Sequence, residues 1–102
     1  MIVYIVDVDV DAEIYAAYRT WLDAHVPEML ALPGFVSAEV FERLEPPAAP
    51  GRRAVSAHYR LASMQDLERY LRVDAPRMRA DGTTRFPGRF TATRQVLSRA
   101  DA

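Results

Sequence analysis

The stretch WLDAHVPEM, Trp21 to Met29, and the stretch YLRVDAPRM, Tyr70 to Met78, share one layout. Trp21-Leu22-x-x-His25-x-Pro27-x-Met29 lies over Tyr70-Leu71-x-x-Asp74-x-Pro76-x-Met78. Large apolar side chains recur in both every three or four residues, the stripe of an amphipathic helix. A proline then interrupts each stripe. Proline has no amide proton, and its ring clashes with the carbonyl four residues back, so each helix is expected to kink, or to stop and restart. In a restart, the residue two before the proline can cap the new turn. Asp74 suits that role; His25, at the matching position, is a weaker cap.

The flanks of both stretches also match. IVYIVDVD, residues 2–9, alternates and is rich in β-branched residues, which predicts a strand. Asp11 stands where it can cap the first helix, and Asp11 and Glu13 complement its positive end. Ile14, Tyr18, Trp21, Leu22 and Met29 form the stripe, and Leu32-Pro33-Gly34-Phe35 ends it. Residues 35–44 predict a second strand, and the proline-rich EPPAAPG, residues 45–51, a loop. Residues 53–61 alternate again as a third strand. Ser63-x-x-Asp66 is a capping pattern, followed by a helix that sets Met64, Leu67, Tyr70, Leu71 and Met78 on one face. FPGRF, residues 86–90, repeats the Pro-Gly stop, and residues 90–98 predict a fourth strand with a short tail.

The order is β-α-β twice, within one domain over residues 1–102. Right-handed crossovers merge the halves into a four-stranded antiparallel sheet with both helices on one face. The predicted fold class is α+β, ferredoxin-like βαββαβ, with strand order 4-1-3-2. The other sheet face is then bare and exposes Val3, Ile5, Asp7 or their alternates. A bare apolar face calls for a cover, and a second copy related by a two-fold axis is the simplest one. A homodimer with facing sheets, a dimeric α+β barrel, is therefore expected.

Composition excludes several chemistries. Half of the residues are hydrophobic and 26% are charged, an ordinary globular balance. Cysteine is absent, which removes disulfides, thiolate metal sites and a cysteine nucleophile. The two histidines are far apart in sequence and do not make a metal site, so no metal and no cofactor is expected. The start, MIVYIVDVDV, has no basic leader, and no apolar run approaches the roughly 18 residues of a membrane span, so a cytoplasmic location is the expectation. Charge is uneven: residues 1–50 hold two arginines and nine acids, residues 51–102 eleven arginines and five acids, and there is no lysine. Either the second half builds an anion-attracting face, or the halves neutralise each other side by side or across a dimer.

His25 shares the stripe of Trp21, Leu22 and Met29 and so faces the sheet. It is the candidate acid/base or ligand anchor at the mouth of a helix–sheet cavity; the alternative is a polar group that satisfies the kink. Glu28 can pair with it or face water. Tyr4, Tyr59, Tyr70 and Trp21 are the further candidates for lining a ligand pocket. In the third strand, His58 shares a side with Ser56 and Arg60, while Val55, Ala57, Tyr59 and Leu61 take the helix side. His58 then faces the second sheet of the dimer, beside Asp7, and both are interface candidates. They would form an acid/base dyad or a buried hydrogen bond, and nothing supplies a third member to orient a dyad.

MIVYIVDVDVD, WLDAHVPEML, YRLASMQDLERYLRVDAPRMR and RFPGRFTATRQVL together resemble a bacterial family of unknown function among the dimeric α+β-barrel proteins. The resemblance spans nearly the whole chain apart from the 46–52 loop. It implies the fold and the dimer and no established activity. The wider superfamily includes cofactor-free monooxygenases and small isomerase-like or dehalogenase-like enzymes. Some of these use a histidine or aspartate in a helix–sheet cavity, and His25 is the position that matches such a role. Three functional classes follow: a dimeric binder of a small, partly apolar molecule; a cofactor-free monooxygenase or isomerase-like enzyme; a structural or regulatory dimer without ligand. An RNA-recognition module shares the βαββαβ order, and Val3 to Val8 resembles its first motif. The third strand, RAVSAHYR, offers Val55 and Ala57 where stacking rings are needed, and the sequence pI of about 6.1 opposes phosphate tracking, so no nucleic-acid partner is expected. Acylphosphatase chemistry needs an asparagine, which the chain lacks.

Overall fold

The structure is a computed structural model that describes residues 1–100; the last two residues of the short tail lie outside the described residues. Strand β1 is Ile2–Asp11, β2 Phe35–Glu42, β3 Arg52–Leu61 and β4 Phe90–Ser98. Helix α1 is Tyr15–Leu30, entered through a 3-10 turn at Ala12–Ile14; α2 is Met64–Val73 and α3 Ala75–Arg85. The sheet order is β2-β3-β1-β4, the predicted order read from the opposite edge, and every pairing is antiparallel. The fold is ferredoxin-like, with all helices on one face.

The two prolines have different outcomes. Helix α1 continues through Pro27 to Leu30 without a break. Only one backbone bond is lost there, and the helix ends three residues later, with the amide of Ala31 on the carbonyl of Pro27. The second helix does break, at Asp74, and Pro76 sits in the first turn of α3, where a missing amide proton costs nothing. The expected caps at Asp74 and Asp11 do not form. Asp74 gives its carboxylate to Arg77 at 3.2 Å and Arg69 at 3.5 Å, and Asp11 gives its own to Arg89 at 2.7 Å and Arg52 at 3.4 Å. A nearby guanidinium binds a carboxylate more strongly than one amide does. The Ser63 cap does form, with Oγ accepting from the amide of Asp66 at 3.1 Å. Gly34 and Gly88 take φ of +85° and +70° after their prolines, which is why both helix stops read Pro-Gly.

The sheet parity divides the residues as their alternation requires. Tyr4, Val6 and Val8 face the helices with Tyr59, Ala57 and Val55 opposite them on β3. Leu67, Tyr70 and Met78 are buried as expected, but Met64 and Leu71 are exposed. Within α2 the buried side chains are Leu67 and Tyr70, one turn apart.

The outer sheet face departs from expectation. Val3, Ile5, Asp7 and Asp9 do lie on it, with Leu97, Ser56, His58, Arg60 and Phe41. It is not a naked apolar surface. Arg43 reaches across β3 from the end of β2 to Asp9 at 2.8 Å and Asp7 at 3.9 Å, and Arg60 pairs with Glu39 at 2.9 Å. These charged side chains and Phe41 roof over the strands, so that even Ile5 is 8% and Ser56 5% exposed. Val55 and Ala57 point to the helices; the outward residues of β3 are Ala54, Ser56, His58 and Arg60.

Candidate functional site

The five predicted pocket residues come together. Tyr4 from β1, Tyr59 from β3, Tyr70 from α2, and Trp21 and His25 from α1 all line one cavity between the helices and the sheet. Its volume is about 60 Å³, small beside the roughly 300–1,000 Å³ of sites for drug-sized ligands. Tyr4, Tyr59, Tyr70 and Phe35 pack together at one end, with ring centroids 5.1–6.3 Å apart. Tyr18 stands at the other end, 5.4 Å from Trp21 and 5.5 Å from Phe90. Each wall is a hydrophobic cluster of its own, and the cavity opens where the two meet.

Trp21 organises the α1 side. Its indole Nε1 donates to Asp81 Oδ2 on α3 at 2.8 Å. Its ring lies so close to α3 that a Cβ at position 82 would stand 3.0 Å from Cη2, which explains the glycine there. His25 stacks on the indole, 4.5 Å between centroids and 22° between planes. It is half-buried, and its Nδ1 has no hydrogen-bond partner. Burial lowers its pKa from the ordinary 6.5, while the carboxylates of Glu28 and Asp81 pull it back less strongly. The ring is therefore neutral near pH 7, able to accept a proton. The hydrogen bond from Trp21 holds the Asp81 carboxyl below its usual range, helped by Arg85.

His25, Glu28 and Asp81 bring one donor atom each to within 4.8 Å of the others. Spacing alone hides this cluster, because Asp81 comes from α3. As arranged it suits an ion poorly: the oxygens of Asp81 already accept from Trp21 at 2.8 Å and from Arg85 Nε at 3.2 Å. His58 and Asp7 are not in the cavity. Both lie on the outer sheet face, where His58 Nε2 is 3.0 Å from Ser56 Oγ and packs on Phe41, and Asp7 faces Arg43. The alternation sets Asp7 opposite Ser56 and not opposite His58, so the pair expected between them does not form.

The tyrosines supply the cavity's polar groups. Burial pushes Tyr18 and Tyr70 up to about 12 and raises Tyr59 as well, so all three keep their protons at neutral pH. Tyr4 accepts a hydrogen bond from Arg79 Nη2 at 3.1 Å. Arg79 and Arg94 border the cavity, and neither was a candidate from the sequence. Arg94 had a legible cue: it lies two residues from Ala92 on a strand whose helix-facing set begins at Phe90. Arg79, one residue after a buried methionine, had none.

No curated protein matches this sequence. Solved structures share its fold. A proposed antibiotic biosynthesis monooxygenase from Deinococcus radiodurans superposes with a TM-score of 0.74 at 16% identity, covering 100% of this chain and 95% of that one. SnoaB, a cofactor-independent oxygenase from Streptomyces nogalater, does so with a TM-score of 0.68 at 12% identity, covering 99% and 95%. The de novo designed protein Foldit4 reaches a TM-score of 0.64 at 12% identity, covering 97% and 98%. A backbone shared by an oxygenase and a designed protein establishes the fold and not the chemistry. One family profile, described as a domain of unknown function (DUF4286), matches residues 1–100, and the chain belongs to that family.

Proposed function

We propose that this protein binds a small, partly apolar molecule in the cavity between its helices and its sheet. The observation that carries this reading is convergence: aromatic side chains from β1, β3, α1 and α2 meet around one opening that His25 also lines, a neutral imidazole whose buried Nδ1 has no partner. A packed core normally leaves neither. The small volume means that a ligand must displace rim side chains as it enters. Thermal melts against a panel of small aromatic and carboxylic compounds test the reading. A ligand at about a hundred times its Kd stabilises by about 2.7 kcal/mol, on the order of 10 °C for a domain this size. His25→Ala, folded, should lose that shift. A panel without any shift favours a structural or regulatory dimer instead.

A second reading, a cofactor-free monooxygenase or isomerase-like enzyme, draws on His25. A neutral, half-buried imidazole beside tyrosine donors can take a proton from a bound phenol or carbon acid. In oxygenation, the resulting substrate anion would itself supply the electrons to dioxygen. Oxygen consumption by the protein with an oxidisable phenol, lost in His25→Ala, tests this step.

The reading includes a homodimer through the outer sheet faces. Val3, Phe41 and Leu97 leave apolar surface there, beside acids and arginines of both signs, a combination that can meet its own copy about a two-fold axis. Light scattering should give twice the chain mass, and Phe41→Glu should halve it. A monomer at micromolar concentration overturns the dimer.

A further inference from the structure

The thirteen arginines carry all of the basic side-chain charge apart from the histidines. The uneven charge along the chain resolves mostly into pairing. Arg52, Arg53, Arg60 and Arg89, from the second half, each bind an acid of the first. Arg69, Arg77 and Arg85 bind acids near them in sequence. Arg72, Arg79, Arg94 and Arg99 are left over, and of these Arg79 and Arg94 line the cavity. Among the described residues, neither forms an ion pair, although acids outnumber bases in the chain.

Both of these arginines border the cavity. Arg94 stands on β4 opposite Val6, on the helix side of the sheet. Arg79 hangs from α3 over the same opening and bonds the buried hydroxyl of Tyr4. Both line the same cavity as Tyr70. The two side chains are exposed at the border of the cavity, where water solvates their charge until a ligand enters. An anion that reaches both gains charge-assisted hydrogen bonds. The planar guanidinium fork matches a carboxylate.

We propose that the cavity takes a carboxylate-bearing molecule, its apolar ring or chain against the tyrosines and its carboxylate at the rim between Arg79 and Arg94. The proposal rests on the small-molecule reading above and adds the ligand's charge. A neutral polar ligand would leave both guanidiniums uncompensated. A more highly charged one would have to desolvate a second negative charge against Tyr59 and Met78.

Benzoate and benzamide, nearly equal in shape, test the charge. Trp21 is the sole tryptophan and lines the cavity, so its fluorescence reports the occupancy of either probe. Benzoate is expected to bind at least about tenfold more tightly than benzamide at low salt, the scale of a charge-assisted bond. The preference should shrink with added salt and vanish in Arg79→Gln/Arg94→Gln. Arg94→Gln alone leaves the Tyr4 bond in place and should lose part of it, which covers the case in which the double variant does not fold. Equal binding of the two probes overturns the carboxylate proposal and leaves the cavity reading standing. A benzoate preference that survives in the double variant overturns the assignment to these arginines. Binding of neither probe overturns both.

Discussion

Trp21 and His25 stack one turn apart on α1, and the same indole is tied to Asp81 across the gap to α3. The stack closes His25 Nδ1 off from water without giving it a partner. A stacked aromatic pair contributes about 0.5–1.5 kcal/mol beyond its buried area, and it fixes the imidazole where it borders the cavity.

That position makes His25 a source of acid sensitivity. Burial lowers its folded pKa below the ordinary 6.5, so the unfolded chain takes up a proton first as the pH falls. The stability it contributes is complete above pH 6.5 and declines as the pH drops from there toward the folded value. The urea midpoint should therefore fall between pH 7.5 and 5.5. His25→Phe keeps a ring on the indole and cannot titrate, so its curve should be flatter over that window. Parallel curves for the two proteins would rule out His25 as the group responsible.

Gly82 makes a prediction of opposite sign from helix propensity. Alanine in a helix interior is usually better than glycine by about 0.5–1 kcal/mol. Here the added Cβ would lie 3.0 Å from Trp21 Cη2, and the indole is held on one side by Asp81 and on the other by His25. Gly82→Ala should destabilise by about 1–3 kcal/mol, the cost of overpacking. In a Trp21→Phe background the same change should be neutral or stabilising. Denaturant unfolding of the four proteins gives the cycle.

Most of the fold was legible because it rests on periodicity. Alternation at 2–9 and 53–61 fixed which β1 and β3 residues face the helices, and the register follows that parity. The pocket tyrosines could be named for the same reason. Failures came where side chains from distant segments compete. Asp11 and Asp74 looked like caps until arginines reached them, and the outer face looked apolar until Arg43 crossed it. Arg79 and Asp81 sit on the neighbours of buried residues, and only the placement of α3 against α1 makes them part of the site.

The Ser63 cap offers a test of α2 itself. Oγ accepts from the amide of Asp66 and donates to its carboxylate at 2.9 Å, so both groups are satisfied locally. Ser63→Ala should cost about 0.5–2 kcal/mol, and Ser63→Asp should recover less than usual because Asp66 repels it. Leu67→Ala, fully buried one turn on, should cost more, about 2–5 kcal/mol. Urea unfolding of the three variants checks the order.

The two prolines separate shared sequence from shared structure. Pro27 lies inside α1, where it leaves the carbonyl of Asp23 without its helical donor, and proline in a helix interior costs about 3 kcal/mol against alanine. Pro27→Ala restores that donor on an exposed face and gives back about 0.4–1 kcal/mol through a more flexible unfolded chain. The net expectation is stabilisation by about 1–2 kcal/mol. Pro76 opens α3, where its fixed φ already suits the backbone and its missing amide proton removes no bond. Pro76→Ala should therefore change stability by at most about 1 kcal/mol, toward destabilisation. If the two substitutions shift the urea midpoint equally and in the same direction, the matched prolines have matched roles, and the unbroken α1 cannot be what distinguishes them.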